Sequence, residues 1–181
     1  MDFLVHSRAS SRAAGTDDDA ALNERHWAYM DGFADGMTAR GPTLGPDRES
    51  WTGSMHVVDL PSVEAARAFV AEEPYQQAGL FGEHSIWRFT NLLGRTMWEF
   101  TRPADEPRFL VLTGAAPPAA LPADLRDRLV FYGELRDLGT DRPAGTALAV
   151  QAPSREALDA LLLGAGLSDV VVHDWEFGGR R

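Results

Sequence analysis

Gly41 to Ala66 reads GPTLGPDRESWTGSMHVVDLPSVEAA, and Gly133 to Leu158 reads GELRDLGTDRPAGTALAVQAPSREAL. Aligned without a gap, Gly41, Gly53, Val58, Pro61, Ser62, Glu64 and Ala65 fall on Gly133, Gly145, Val150, Pro153, Ser154, Glu156 and Ala157. The match extends outward. Phe3-Leu4-Val5 resembles Phe109-Leu110-Val111, Ala78-Gly79-Leu80 recurs as Ala165-Gly166-Leu167, and Trp87-Arg88-Phe89 recurs as Trp175-Glu176-Phe177. An internal repeat fixes architecture before any single element does.

The first copy predicts a strand over Phe3–Ser7 and a mobile polar loop over Arg8–Asp19. A helix follows over Leu22–Met37, with Leu22, His26, Met30, Phe33 and Met37 on one face at helical period. Strands are expected at Thr38–Leu44, Ser54–Leu60 and His84–Thr90, with a helix opened by Ser62 and running through Val70. Leu92–Phe100 reads as an extra bridging or edge strand. The second copy predicts strands at Arg108–Thr113, Leu129–Leu135, Thr146–Gln151 and Val170–Phe177, and helices at Leu121–Asp127 and Ser154–Leu163. It lacks most of the first loop and helix.

The order βαββαβ, twice, implies an α+β fold built from two tandem ferredoxin-like units. Each would carry its helices on one sheet face and leave the other bare. Packing sheet to sheet covers both, giving a pseudo-dimeric α+β barrel within one chain. The divisions are 1–100 for the first unit, 101–107 (TRPADEP) for a linker, and 108–181 for a degenerate second unit.

The 181 residues carry a formal charge of −10 and 44% hydrophobic residues. That supports a packed core and argues against a nucleic-acid partner, whose phosphates require basic stripes. There are no cysteines, so disulfides, thiolate catalysis and Cys-based zinc sites are excluded. No run reaches the roughly 20 apolar residues of a membrane span. The N-terminus lacks signal-peptide character, so the expected location is cytoplasmic.

Several motifs of the first copy are specific in combination. They are Arg25-His26 on a helix, Ala39-Arg40-Gly41-Pro42, Trp51-Thr52-Gly53-Ser54, Ser62-Val63-Glu64-Ala65-Ala66, and Glu72-Glu73-Pro74-Tyr75-Gln76-Gln77-Ala78-Gly79-Leu80-Phe81. With these, residues 2–90 resemble the YciI-like (YCII-related) family of the dimeric α+β barrel type. The resemblance implies a His–Asp pair in a pocket between the first helix and the sheet. His26 matches the histidine. Glu73, before Pro74-Tyr75, stands where the family has Asp, one methylene longer. Relatives include a dehydrochlorinase of chlorinated hydroquinones. The wider superfamily includes muconolactone isomerases, cofactor-free monooxygenases and haem enzymes. The resemblance therefore implies a type of pocket and no particular substrate.

Spacing alone leaves His26 open between a core histidine bonded to backbone and a general acid/base. With the resemblance, the expected catalytic pair is His26 and Glu73. The expected substrate-binding residues are His6, His56, Ser54, Arg40 and Trp51. His6 and His56 lie on neighbouring strands, and both are expected to approach one chamber inside the barrel. Ser54 could donate to a substrate oxygen, Arg40 could bind an anionic oxygen, and Trp51 could stack on a flat ring. The bland alternatives are polar strand-end residues, a turn serine, a surface ion pair and core packing. His84 and His173 read as surface or strand-end residues. The five histidines show no metal-ligand spacing, so no metal and no cofactor is expected.

The expected function is a cofactor-independent small-molecule enzyme of lyase, isomerase, cyclase or monooxygenase-like type. The His–carboxylate pair would move a proton on a cyclic or phenolic substrate. A non-catalytic small-molecule-binding or accessory protein using the same pocket is the alternative, as is a structural pseudo-dimer scaffold. The expected partner is an aromatic or cyclic small molecule. The assembly is expected to be a monomeric pseudo-dimer or a homodimer.

Overall fold

Runs of alternating apolar and polar residues, punctuated by serine-capped helices, fold as eight strands wrapped by short helices. The computed structural model describes residues 1–13, 19–103 and 105–178. The strands are β1 (Asp2–Ala9), β2 (Met37–Leu44), β3 (Trp51–Asp59), β4 (Phe81–Asn91), β5 (Arg108–Thr113), β6 (Leu129–Arg136), β7 (Pro143–Gln151) and β8 (Val170–Trp175). The helices are α1 (Ala20–Asp31), α2 (Val63–Ala71), α3 (Pro74–Gln77), α4 (Ala123–Arg126) and α5 (Arg155–Gly164).

All strands pair antiparallel in one closed barrel ordered β1-β3-β2-β8-β5-β7-β6-β4. Residues 1–91 supply the run β4-β1-β3-β2, and residues 108–175 supply β6-β7-β5-β8. The halves do more than face each other, because their edge strands hydrogen-bond. β2 joins β8 at Thr43/Trp175 and Leu44/Asp174, and β4 joins β6 from Arg88/Arg136 to Asn91/Gly133. Among the described residues, closure leaves no open sheet edge to template aggregation.

The repeated residues do the same work in each half. Ser62 accepts from Ala65 N and Ser154 from Ala157 N, both at 3.2 Å, capping α2 and α5. Gly53 (φ 151°) and Gly145 (φ 141°) take backbone conformations that L side chains rarely adopt. A Cβ on either would strike the neighbouring strand, at the carbonyls of Ser7 and Thr113. Gly41 and Gly133 sit at the two seams. A Cβ there would strike the carbonyls of Glu176 and Thr90.

Inside the barrel, Leu4, Met55, Val57, Phe89, Leu110, Phe131 and Trp175 form one core. Outside it, α1 and α2 pack Met30, Ala66 and Phe69 onto Phe3, Val5 and Val58. In the second half, α4 and α5 pack Leu125, Leu158 and Leu162 onto Phe109, Val111 and Val150.

Several elements differ from expectation. α1 ends at Asp31, and a 3-10 turn over Ala34–Gly36 leads into β2. Gly32 closes the helix and Gly36 packs tightly against Asp59, so the periodic stripe does not continue as α-helix to Met37. Residues 92–100 form no strand. Asn91 turns the chain through bonds to Leu93 N and Gly94 N, and a Thr96–Glu99 capping box closes a 3-10 turn at Met97–Glu99. The expected loop at Arg8–Asp19 starts late, because β1 runs to Ala9, and its residues 14–18 lie outside the described residues. Among the described residues, no helix is long and apolar enough to cross a membrane.

Candidate functional site

Glu73 is the N-cap of α3. Its Oε2 accepts from Gln76 N at 2.8 Å, and Pro74 follows at the first helical position. That anchoring fixes the carboxylate and leaves its other oxygen facing α1. His26 Nδ1 donates to Glu73 Oε1 at 2.6 Å. The pair is secluded, with side-chain exposures of 12% for His26 and 4% for Glu73. One carboxylate thus caps a helix and holds an imidazole.

Tyr75 locks the ring from its flat side. Its ring stacks on His26 with centroids 4.1 Å apart and planes 6° from parallel. Its hydroxyl donates to Asn23 Oδ1 at 2.7 Å, tying α3 to α1 one turn before His26. With Nδ1 committed to Glu73, Nε2 is the nitrogen of the neutral ring that can accept a proton.

His26 opens on a cavity of about 250 Å³, lined also by Trp27, Arg40, Trp51, Ser54, His56 and Tyr75. Arg40 is 4% exposed and reaches Asp31 Oδ1 at 3.4 Å. It stands opposite His56 in the β2/β3 register, so both point to the helix side of the sheet. Burial, with the nearby His26 and Arg40 charges, pushes His56 down to about 3. At neutral pH it is an uncharged hydrogen-bonding group. The Trp51 ring meets Tyr75 and Phe81 at 5.7 and 5.4 Å between centroids, inclined at 66° and 50°. The second half also reaches this cavity: Gly178 N donates to Arg40 O at 3.0 Å and lines its wall.

The cavity therefore brings together His26, Arg40, Trp51, Ser54 and His56, with Glu73 behind His26. It excludes His6. Val5 stands opposite His56 and His6 opposite Met55, so the two histidines project from opposite faces of the sheet. The expectation that they share one barrel chamber is corrected by this register. His56 looks toward α2, with its ring 5.7 Å from Phe69. His6 looks into the barrel and meets His173 at 4.8 Å between ring centroids. His173 likewise faces inward and is half-buried within β8. His84 is held at both nitrogens, by Ser7 at 2.8 Å and Gln76 at 2.7 Å.

Asn23, the Tyr75 stack and Gly178 belong to the site beyond the residues expected from sequence. Asn23 precedes His26 by three positions on one helix face, a readable signal. Gly178 carries no side chain and had none. Among the described residues, no group of three or more His, Asp or Glu side chains is placed to hold a metal ion.

Residues 1–90 match the family described as the YCII-related domain. No curated protein matches the chain. Among solved structures, the 5-chloro-2-hydroxyhydroquinone dehydrochlorinase of Burkholderia phenoliruptrix AC1100, in complex with 2,5-dihydroxybenzoquinone, is 26% identical. That alignment covers 49% of this chain and 92% of the other, with a TM-score of 0.38. An anthrone oxidase-like protein is 11% identical over 99% of this chain and 91% of its own, with a TM-score of 0.52. A protein assigned as a monooxygenase from Lactobacillus acidophilus NCFM is 8% identical over 97% and 92%, with a TM-score of 0.51. The last two span nearly the whole chain and show its fold as that of dimeric α+β barrel proteins. By its first 90 residues, the chain belongs to the YCII-related domain family.

Proposed function

We propose that the His26 cavity is the active site of a small-molecule enzyme that moves a proton on a cyclic or phenolic substrate. The observation that carries this is the 2.6 Å His26–Glu73 contact at the wall of a cavity with a second, uncharged histidine and a buried arginine. Glu73 fixes the ring orientation and stabilises the imidazolium formed when Nε2 takes a proton. Arg40 binds the oxygen on which negative charge develops, and Ser54 and neutral His56 hydrogen-bond the substrate. Trp51 and Tyr75, with rings inclined at 66° to each other, give the cavity an aromatic wall. The proton transfer uses these side chains alone. A lyase, isomerase, cyclase or monooxygenase-like outcome depends on the substrate.

We also read the chain as two tandem ferredoxin-like units forming a pseudo-dimer, divided 1–100, 101–107 and 108–181. The parallel strand orders, paired serine caps and paired seam glycines support that reading.

A thermal-shift screen of aromatic polyketides, quinones and lactones, followed by turnover assays on the hits, tests the function. The expected result is a ligand whose conversion is lost in His26→Ala and reduced in Glu73→Gln. Conversion that survives His26→Ala refutes the dyad. Binding without conversion of any hit makes this a binding protein.

A further inference from the structure

His84 on β4 stands outside the His26 cavity, yet a chain of hydrogen bonds joins it to the His26 ring. Ser7 of β1 bonds His84 Nδ1 at 2.8 Å, and His84 Nε2 bonds Gln76 Oε1 at 2.7 Å. Gln76 N donates to Glu73 Oε2 at 2.8 Å, and Glu73 Oε1 takes His26 Nδ1 at 2.6 Å. An amide oxygen only accepts, so His84 Nε2 carries a proton. In the neutral ring Nδ1 is then the acceptor, and the Ser7 hydroxyl donates to it.

The two histidines also share one carboxylate through space. His84 and Glu73 line a single void of about 10 Å³, and Glu73 is 3% exposed, so little water screens them from each other. Glu73 is the charged group facing His84 there. The other walls are Val5 and Ser7 of β1, Met30 of α1, Phe69 and Val70 of α2, Phe81 of β4, and His56 of β3, which is uncharged at neutral pH. Arg8 and Glu83, next to Ser7 and His84 in sequence, line a cavity on the other sheet face. Burial holds His84 below the ordinary histidine value, although Glu73 pulls it upward. At neutral pH the ring is therefore uncharged, and the Glu73 charge serves His26 alone. A proton on His84 would set a second cation against the same carboxylate.

We propose that His84 is a positioning residue for the His26–Glu73 pair: its neutral ring holds Gln76 and Glu73 in place, and its protonation diverts the Glu73 charge from His26. This rests on the reading of His26 as the proton-transfer group. His84 touches no substrate and acts through Gln76 and Glu73. The support it gives is present at neutral pH and is lost as pH falls through the His84 titration, below about 6.5.

NMR of the histidine ring nitrogens in the full-length protein, without substrate, tests this. The His84 and His26 signals are assigned by their loss in His84→Gln and His26→Gln. In the wild type, the His26 signals should show an inflection at the pH where the His84 ring titrates. His84→Gln keeps an amide donor for Gln76 and cannot titrate, so the inflection should vanish while His26 Nδ1 keeps its proton. His84→Leu and Gln76→Leu both cut the chain and leave the Gln76 backbone amide on Glu73. Each should speed exchange of the His26 Nδ1 proton with water roughly tenfold, and His84→Gln should not. A wild-type His26 profile with no inflection at the His84 midpoint overturns the proposal. So does an inflection that survives in His84→Gln, or unaltered exchange in Gln76→Leu. Ring signals are read here rather than turnover, so this proposal and the enzyme reading fail separately.

Discussion

Glu73 bonds two elements with one carboxylate: Oε1 takes the His26 imidazole of α1 at 2.6 Å, and Oε2 caps α3 at 2.8 Å. These contacts are coupled, because neither can shift without dragging the other. Glu73→Ala removes a helix cap and a buried imidazole partner together. The expected loss is about 2 kcal/mol, about half of it from the cap. Glu73→Asp introduces the residue that the family resemblance implies at this position; it should keep the α3 cap and cost less than Glu73→Ala. Urea unfolding gives the stability, and nitrogen-15 spectra of the histidine rings report whether Nδ1 of His26 still carries its proton. Unchanged stability and tautomer in Glu73→Ala would show that the contact organises nothing.

Two buried histidines make stability depend on pH. His56 is pushed down to about 3 and His6 to about 4, in both cases chiefly by burial. Their unfolded value is about 6.5. Between these limits the unfolded chain binds more protons than the folded one, so stability rises with pH. The contribution is complete above about pH 6.5 and is lost as pH falls toward the folded values. Near pH 5 each histidine should add a slope of roughly 1.4 kcal/mol per pH unit. His6→Leu should flatten the urea-derived stability curve between pH 4.5 and 6.5 relative to wild type. A curve parallel to wild type across that window would contradict a buried, neutral His6.

What the sequence could and could not say follows from which interactions are local. The Ser62 and Ser154 caps lie three residues from the amides they bind, so the repeat exposed them directly. Alternation along β1 and β3 correctly paired His6 with Leu4 and His56 with Ser54. It could not say that Val5, rather than His6, stands opposite His56, because register is a tertiary choice. The His26–Glu73 juxtaposition spans 47 positions and was suggested by family resemblance, with no local pattern behind it. The share of Gly178 in the cavity depends on a seam between the two halves, and nothing near Gly178 encodes that seam.

The seam glycines should be far less tolerant than other glycines. A Cβ at Gly41 would collide with the backbone carbonyl of Glu176, and neither strand can move without opening the β2/β8 junction. Gly41→Ala should cost roughly 1–3 kcal/mol and displace the Gly178 wall of the His26 cavity. Gly114 has nothing within 4 Å of an added Cβ and no positive φ, so Gly114→Ala should stay within about 0.5 kcal/mol of wild type. Thermal melts of the two variants make the comparison. Equal tolerance would mean that the seam carries little of the stability.

Removing residues 101–181 tests whether the second half replaces a partner subunit. The fragment would lose the strands paired to β2 and β4, leaving two open edges. It would also expose Leu4, Met55, Val57 and Phe89, which face the barrel interior. An apolar surface of that kind either recruits a second copy or aggregates. If the halves are related as the two subunits of a dimer would be, the fragment should self-associate through the same seams. Gly41 would then take the β4 edge of a second copy in place of Glu176. Light scattering of the purified fragment should show a dimer or larger species, and Gly41→Ala should block the dimer. A stable, folded monomer would show that the exposed sheet face needs no cover, and the pseudo-dimer reading would fail.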